Sequence, residues 1–163
     1  MPNWNHSELS RCSLEDCLRE FTKDEVIDGE NKIECSKCRA KRTMVKRLQV
    51  YRFPKVLVLH LKRFGNTRKK VKTEVRFPIK SFDASSLACQ QQANGGSNRP
   101  VYDLYAVCDH SGRMNFGHYT ASCIDPQSEE WQTFNDEDVS SISASDLNGS
   151  SAYMLFYSLR DSS

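Results

Sequence analysis

The sequence predicts an α+β domain, mainly antiparallel β with one short helix, and three observations carry this reading. Strand-like runs of alternating or continuous apolar residues recur along most of the chain. Clusters of Gly, Asn, Asp and Ser separate them, as hairpin connections require. A helical period occurs only once, near the start. At 163 residues and 38% hydrophobic the chain suffices for one ordinary domain, since domains run to roughly 100 to 200 residues. No run approaches the roughly 18 apolar residues of a membrane span, and the opening residues lack the charged and apolar regions of a signal peptide. A cytoplasmic or nuclear protein is expected, with no membrane partner.

In chain order, residues 1–12 read as an N-terminal extension. Ser13 then stands as N-cap to a segment whose apolar groups, Leu14, Cys17, Leu18 and Phe21, fall at i, i+3, i+4 and i+7, which predicts a short amphipathic helix. A turn over Asp28-Gly29-Glu30-Asn31 leads to Cys35-x-x-Cys38. From Thr43 to Tyr51 apolar and polar residues alternate as in a strand, and Val56 to Leu61 is a continuous apolar strand, with Pro54 between them. A further strand spans Lys72 to Phe77, ended by Pro78. Residues 81–99 are rich in Gln, Asn, Gly and Ser and read as a mobile polar insertion. Four more strands are expected at Val101–Cys108, His118–Ile124, Trp131–Phe134 and Tyr153–Leu159, and residues 160–163 form a tail. Beyond Phe21 the only helical signal is a turn near Ser145–Leu147.

Seven cysteines, scattered except for Cys35 and Cys38, fit thiols or metal ligands better than a secreted disulfide framework. Two thiolates three residues apart at a turn can reach one tetrahedral metal, so Cys35 and Cys38 form half of a zinc ribbon. A second pair would have to come from Cys12 and Cys17, which sit awkwardly on or before the helix, or from outside the chain. The alternative is two ordinary thiols.

The net charge of +2 conceals an asymmetry: residues 37–76 hold fifteen Lys or Arg against one acid, Glu74, which leaves the remainder near −12. Such a stripe suits a solvated face, an acidic partner or nucleic acid. The few aromatics within it, Tyr51, Phe53 and Phe64, alternate as core positions do, so nucleic acid is the weakest of the three.

The residues that carry chemistry lie further on. Phe116-Gly117-His118-Tyr119 places a histidine at the head of a strand after a glycine that permits close backbone approach, and Trp131 to Asp136 ends the next strand in Asn135. A histidine that takes a thiol proton, with an amide bonded to its other ring nitrogen, is half of a Cys-His-Asn site. The nucleophile is not evident. Cys123, five residues from His118 on one strand, points to the opposite face, and neither Cys89 nor Cys108 precedes a helix that would lower its pKa. His60, among aliphatic residues, reads as a hydrogen-bonded core histidine. His110 lies between Asp109 and Ser111, but adjacent strand residues cannot face one another as a triad.

Taken together, Ser13–Phe21, Cys35–Arg39, Arg52–Phe64, Val75–Ile79, Tyr102–Thr120, Trp131–Val139 and Ala152–Tyr157 resemble the C-terminal part of the ubiquitin-specific proteases, papain-like cysteine enzymes that cleave after the C-terminal glycine of ubiquitin. The resemblance implies a partial catalytic domain over residues 13–159: fingers strands at about 31–50, a palm at about 51–159, and no thumb. It implies His118 as general base, Asn135 as its orienting partner, and Asp136 as support for that pair or for the oxyanion site. Loops holding Gly65, Asn66, Ser111, Gly112, Phe116, Gly117 and Tyr119 match those that gate the groove for the ubiquitin tail. Cys35 and Cys38 match the second ligand pair of a structural zinc, which the chemistry itself does not need. The cysteine box and the first zinc pair are missing, so the chain reads either as a piece of a larger protease or as a thumbless product. The implied partners are ubiquitin and ubiquitinated proteins, and the isolated chain is expected to be inactive. A non-catalytic module that binds ubiquitin or another partner is the rival expectation.

Overall fold

The computed structural model describes residues 11–65, 69–89 and 99–161. Its first strand, β1 (Arg11–Ser13), runs into helix α1 (Leu14–Thr22). The Ser13 hydroxyl accepts the Asp16 backbone N–H, and the Asp16 carboxylate accepts the Ser13 N–H in return. This capping box satisfies two otherwise orphaned donors and starts the helix where the sequence predicts. Leu14 is fully buried, and Cys17 and Leu18 pack beside it, but Phe21 remains exposed. Because β1 pairs in parallel with β7 (Glu74–Arg76), Arg11 and Cys12 belong to the domain, and the boundary expected at residue 13 moves back to 11.

Two small ribbons follow. β2 (Glu25–Ile27) pairs with β5 (Met44–Lys46), and β3 (Ile33–Glu34) pairs with β4 (Lys41–Arg42), all antiparallel. The alternation over residues 43–51 yields a strand only at 44–46. Val50 instead makes an isolated bridge to Ala88, since its backbone N–H donates to Leu87 and its carbonyl accepts from Cys89.

The main sheet has seven strands. β6 (Val56–His60), β9 (Val101–Arg113), β10 (Phe116–Ile124), β11 (Trp131–Asn135), β12 (Asp138–Ile142) and β13 (Ala152–Leu159) lie in the order β12-β11-β10-β9-β13-β6, and β8 (Phe82–Asp83) also pairs with β9. All these pairings are antiparallel, and β9 to β12 form successive hairpins. The 13 residues of β9 give it three neighbours: β13 along one edge, with β8 and then β10 along the other.

One face of this sheet carries Leu104, Val107, Trp131, Leu155 and Tyr157, all buried with Leu14, Phe82 and Leu87 in one core. Burial of this apolar area drives folding. Tyr102 and Tyr157 send their hydroxyls to the carbonyls of Pro54 and Pro78, so two large buried rings also satisfy their polar tips.

Three expectations need correction. The polar insertion at 81–99 does not begin as a surface loop: Phe82, Ala84 and Leu87 are buried core residues, β8 joins the sheet, and residues 85–87 form a 3₁₀ turn. Residues 90–98 of it lie outside the described residues. The tail at 160–163 begins with an anchored residue, since the Arg160 N–H donates to the Val101 carbonyl and its guanidinium pairs with Asp103. His60 is exposed on the edge strand, with its ring set edge-on against Tyr153 at 4.5 Å.

Arg63 is the one strongly buried cation among the described residues, 2% exposed. Its guanidinium donates to four carbonyls, those of Ala152, Val71, Thr73 and Gly149. The five fixed donors of arginine suit this role, which a lysine could not fill. Of the basic stripe at 37–76, this residue is therefore a structural bracket and not part of a charged face.

Candidate active site

The hairpin from β10 to β11 sets the chemistry. Ala121 pairs with Phe134, so one step further Asn135 stands opposite Thr120, and His118 lies two residues along the same face. The two side chains meet: His118 Nε2 is 2.6 Å from Asn135 Oδ1. An amide oxygen is an acceptor, so Nε2 carries the proton and Nδ1 keeps its lone pair. A base of that tautomer is ready to take a proton at Nδ1.

Asp136 follows in the left-handed conformation, φ 52°, at the turn before β12. Its carboxylate lies 3.8 Å from the same Nε2, too far for a direct hydrogen bond. The His118 side chain is about half exposed and that of Asp136 mostly so. Among the described residues no thiol is hydrogen-bonded to His118. Cys123 sits five residues on, on the opposite face of β10.

Gly112 and Gly117 face each other where β9 turns into β10. Gly112 has φ +97°, and a Cβ there would stand 2.4 Å from the Phe116 carbonyl oxygen, so only glycine fits the position. Ser111 pairs with His118, and its hydroxyl reaches the His118 carbonyl at 3.4 Å. Ser111, Gly112, Phe116, Gly117 and His118 line a shallow open recess of about 340 Å³. Phe116 at its rim is 85% exposed, an uncovered apolar side chain beside the candidate base. The structure thus gathers Ser111, Gly112, Phe116 and Gly117 at His118, and brings Tyr119 in from the other face. Gly65 follows Phe64, whose ring reaches the same neighbourhood through His110. Asn66 lies outside the described residues.

Sequence reasoning set aside His110, and this is the residue it missed. It is 3% exposed and packed among aromatic rings in edge-on and tilted contacts. Its Nδ1 has no partner. Burial, with Lys70 nearby, pushes its pKa down. The available signal was its place in strand register opposite Tyr119, which no local pattern displays. Beneath it Asp109 accepts from the Ser151 hydroxyl at 2.7 Å, and burial raises its pKa against the pull of that bond, Arg63 and Lys70.

Cys35 and Cys38 lie in the loop between β3 and β4. The Cys35 N–H donates to the Ala40 carbonyl, and the Arg39 N–H donates to the Cys35 carbonyl. The Cys35 thiol faces the backbone N–H groups of Cys38 and Lys37, which lower its pKa. Arg42 Nε donates to Cys38 Sγ at 3.5 Å. Two thiols so placed, Cys35 backed by backbone donors and Cys38 by Arg42, fit half of a tetrahedral zinc site. Among the described residues no group of three or more metal-ligating side chains assembles. Cys12 and Cys17 do not join the pair; their sulfurs lie 3.7 Å from each other against the core, where burial and Cys12 push the Cys17 thiol up to about 12.

A seven-stranded antiparallel sheet that presents an oriented histidine–amide pair beside a glycine-rich hairpin has the architecture of the palm of a papain-like hydrolase. Comparison with known proteins agrees: residues 21–157 match the family model "Ubiquitin carboxyl-terminal hydrolase", and the chain belongs to that family. It is 46% identical over 162 residues to ubiquitin carboxyl-terminal hydrolase 2 of Gallus gallus, covering 98% of this chain and 43% of that protein. To the Homo sapiens protein of the same name it is 45% identical over 150 residues, covering 90% of this chain and 24% of that one. Among solved structures it is similar to the SAGA Ubp8/Sgf11/Sus1/Sgf73 DUB module bound to ubiquitin aldehyde, with a TM-score of 0.74 and 30% identity, covering 93% of this chain and 34% of that one. The chain therefore spans less than half the length of the relatives it matches.

Proposed function

We propose that this chain supplies the general-base half of a cysteine-type deubiquitinase, with His118 as base and Asn135 as the residue that orients it. The 2.6 Å bond between His118 Nε2 and Asn135 Oδ1, in a chain of this family, carries the reading. In the complete enzyme a cysteine from a segment upstream of those matched here loses its proton to His118 Nδ1 and attacks the carbonyl carbon of ubiquitin's last glycine. The imidazolium then protonates the leaving amine. Water, deprotonated by the same ring, hydrolyses the acyl-enzyme. Asn135 holds the ring in one tautomer throughout but stabilises the cation less than a carboxylate would, and Asp136, at 3.8 Å, adds charge complementarity.

The hairpin residues Ser111, Gly112, Phe116 and Gly117, with Gly65, Asn66 and Tyr119, would flank the ubiquitin tail. Cys35 and Cys38 would supply two of four ligands to a structural zinc. Ubiquitinated proteins are the substrates on this reading, and the chain alone is inactive because it lacks a thiol paired with its base.

The test is a chimera in which this chain replaces the matching segment of the Gallus gallus relative, assayed on a ubiquitin C-terminal amide. We expect hydrolysis that falls on the order of 10² to 10⁴-fold in His118→Ala; a chimera that binds ubiquitin yet turns over equally well in that variant would overturn the assignment. For the chain alone, intact-mass analysis with ubiquitin carrying a thiol-reactive C-terminal electrophile is expected to show no adduct. That no described thiol is bonded to His118 favours a second reading for the chain as it stands, a module that binds ubiquitin without cleaving it. Saturable ubiquitin binding with no adduct would establish that form.

A further inference from the structure

We infer that His110 is a positioning residue for His118: its buried ring is the floor on which both chain neighbours of His118 rest. This rests on the reading of His118 as the base. Along β10 side chains alternate, so Gly117 and Tyr119 face away from Asn135, toward His110. A Cβ on Gly117 would stand 1.9 Å from His110 Nε2 and 2.7 Å from Cε1, so the Gly117 backbone lies directly on the ring edge and only glycine allows it. Tyr119, the strand partner of His110, packs against it in a tilted contact, ring centroids 4.8 Å apart at 54°. The Cα of His118 is therefore held from both sides at a height set by one imidazole.

That imidazole is itself fixed. Phe64 lies edge-on at 5.3 Å, and Tyr153 lies tilted at 45° with its centroid 5.8 Å away. The His110 N–H donates to the Ser151 carbonyl at 3.0 Å, and its own carbonyl accepts from Lys70 Nζ. Its Nδ1 makes no hydrogen bond, so the ring serves by shape and flatness rather than by proton transfer. A displacement of the β10 backbone by a fraction of an ångström would open the 2.6 Å bond to Asn135 and release the second tautomer, since a hydrogen bond of this kind weakens steeply as its geometry departs from linear.

The experiment reads the His118 tautomer in the ¹⁵N-labelled 163-residue chain, from two-bond ¹H–¹⁵N imidazole correlations at about pH 8, where an ordinary histidine is neutral. The native chain is expected to show one His118 tautomer, protonated at Nε2. In His110→Ala and in Gly117→Ala the His118 nitrogens should move to a two-tautomer average. His110→Phe, which keeps a flat though larger ring and removes both ring nitrogens, Nδ1 being unbonded, should retain the single tautomer. Combining Gly117→Ala with His110→Ala should recover much of it, because the methyl then occupies the vacated space.

Thermal unfolding of each variant separates loss of fold from loss of position. Should His110→Ala not fold, His110→Phe against His110→Leu gives the same comparison of ring with no ring. A single unchanged tautomer in folded His110→Ala and Gly117→Ala would overturn the inference. Asn135→Ala tests the underlying reading separately. If it leaves the tautomer untouched, the His118–Asn135 assignment fails, whatever His110 does; if it scrambles the tautomer while the His110 and Gly117 variants do not, only the positioning role fails.

Discussion

The main sheet and the two ribbons at residues 25–46 are built from similar strand-forming residues, yet they are held in opposite ways. In the sheet Leu104, Val107, Leu155 and Tyr157 lie within one core. In the ribbons Val26, Ile33, Met44 and Val45 are all exposed, and no residue of either ribbon belongs to that core. The ribbons are tied instead by backbone pairing and by surface ion pairs, Lys46 to Glu25 and Arg47 to Asp24. Pairs of that kind are worth about 0 to 1 kcal/mol, and an isolated two-stranded hairpin is marginal in water. The candidate catalytic pair sits on strands that hold the core, whereas the Cys35–Cys38 loop joins two strands that contribute nothing to it.

Arg63 is the point at which the sheet is most sensitive to substitution. Replacement by Ala strands four carbonyls, and a loss of about 4 kcal/mol or more in urea unfolding is expected; a loss below about 1 kcal/mol would show those carbonyls satisfied without it. Arg63→Lys should recover only part of the loss, having three donors for a forked site. Leu155→Ala in the centre of β13 is expected to cost about 3 kcal/mol by creating a cavity, read from the shift in urea midpoint.

Acid should weaken the sheet before the ribbons. His110 is held below its ordinary pKa by burial and by Lys70, so near and below about pH 6.5 the unfolded chain binds a proton that the folded chain resists. This contribution is complete above that pH and is lost as the pH falls through the folded value. A urea midpoint that declines from pH 8 to pH 5.5 in the native chain, and declines less in His110→Phe, is the expected signature.

The ribbons should respond differently. Zinc titrated into the chain is expected to bind weakly and below one-to-one, since two thiolates are half a set; calorimetry showing a tight one-to-one complex would place the missing ligands within the chain. Smallest of all, Val45→Ala should change global stability by less than about 0.5 kcal/mol. A loss comparable with that of Leu155→Ala would mean that the ribbon belongs to the cooperative unit after all.

Much of this was legible in the sequence where local periodicity and tertiary environment coincide. The run Val56–His60, the alternation in Val101–Cys108 and the close of Tyr153–Leu159 all became strands, because in each the apolar positions repeat at the period of the side-chain faces. The spacing from His118 to Asn135 was equally readable, since a hairpin returns the second strand to the same face. What escaped was set by contacts distant in sequence. Phe82, Ala84 and Leu87 were hidden in a polar composition, though three small or apolar side chains are enough to pin a segment when a core is there to receive them. β12, with Asp138, Ser140 and Ser141, has hardly any strand character and exists because β11 offers it an edge. Arg63 looked like one of fifteen solvated cations, and nothing nearby in sequence announces its acceptors.

Arg63 also orders events in time. Its carbonyl acceptors at Val71 and Thr73 follow within 10 residues, but those at Gly149 and Ala152 lie 86 and 89 residues downstream. During synthesis, at about 5 to 20 residues per second, the guanidinium is made several seconds before two of its four partners leave the ribosome. Until then Arg63 can hold only the Val71 and Thr73 carbonyls, and β6, whose whole pairing is with β13, has no strand beside it. Both the bracket and the sheet edge must wait for the last part of the chain, so a ribosome stalled before residue 149 should hold a nascent chain with an unclosed palm and a bare apolar strand, an invitation to chaperones.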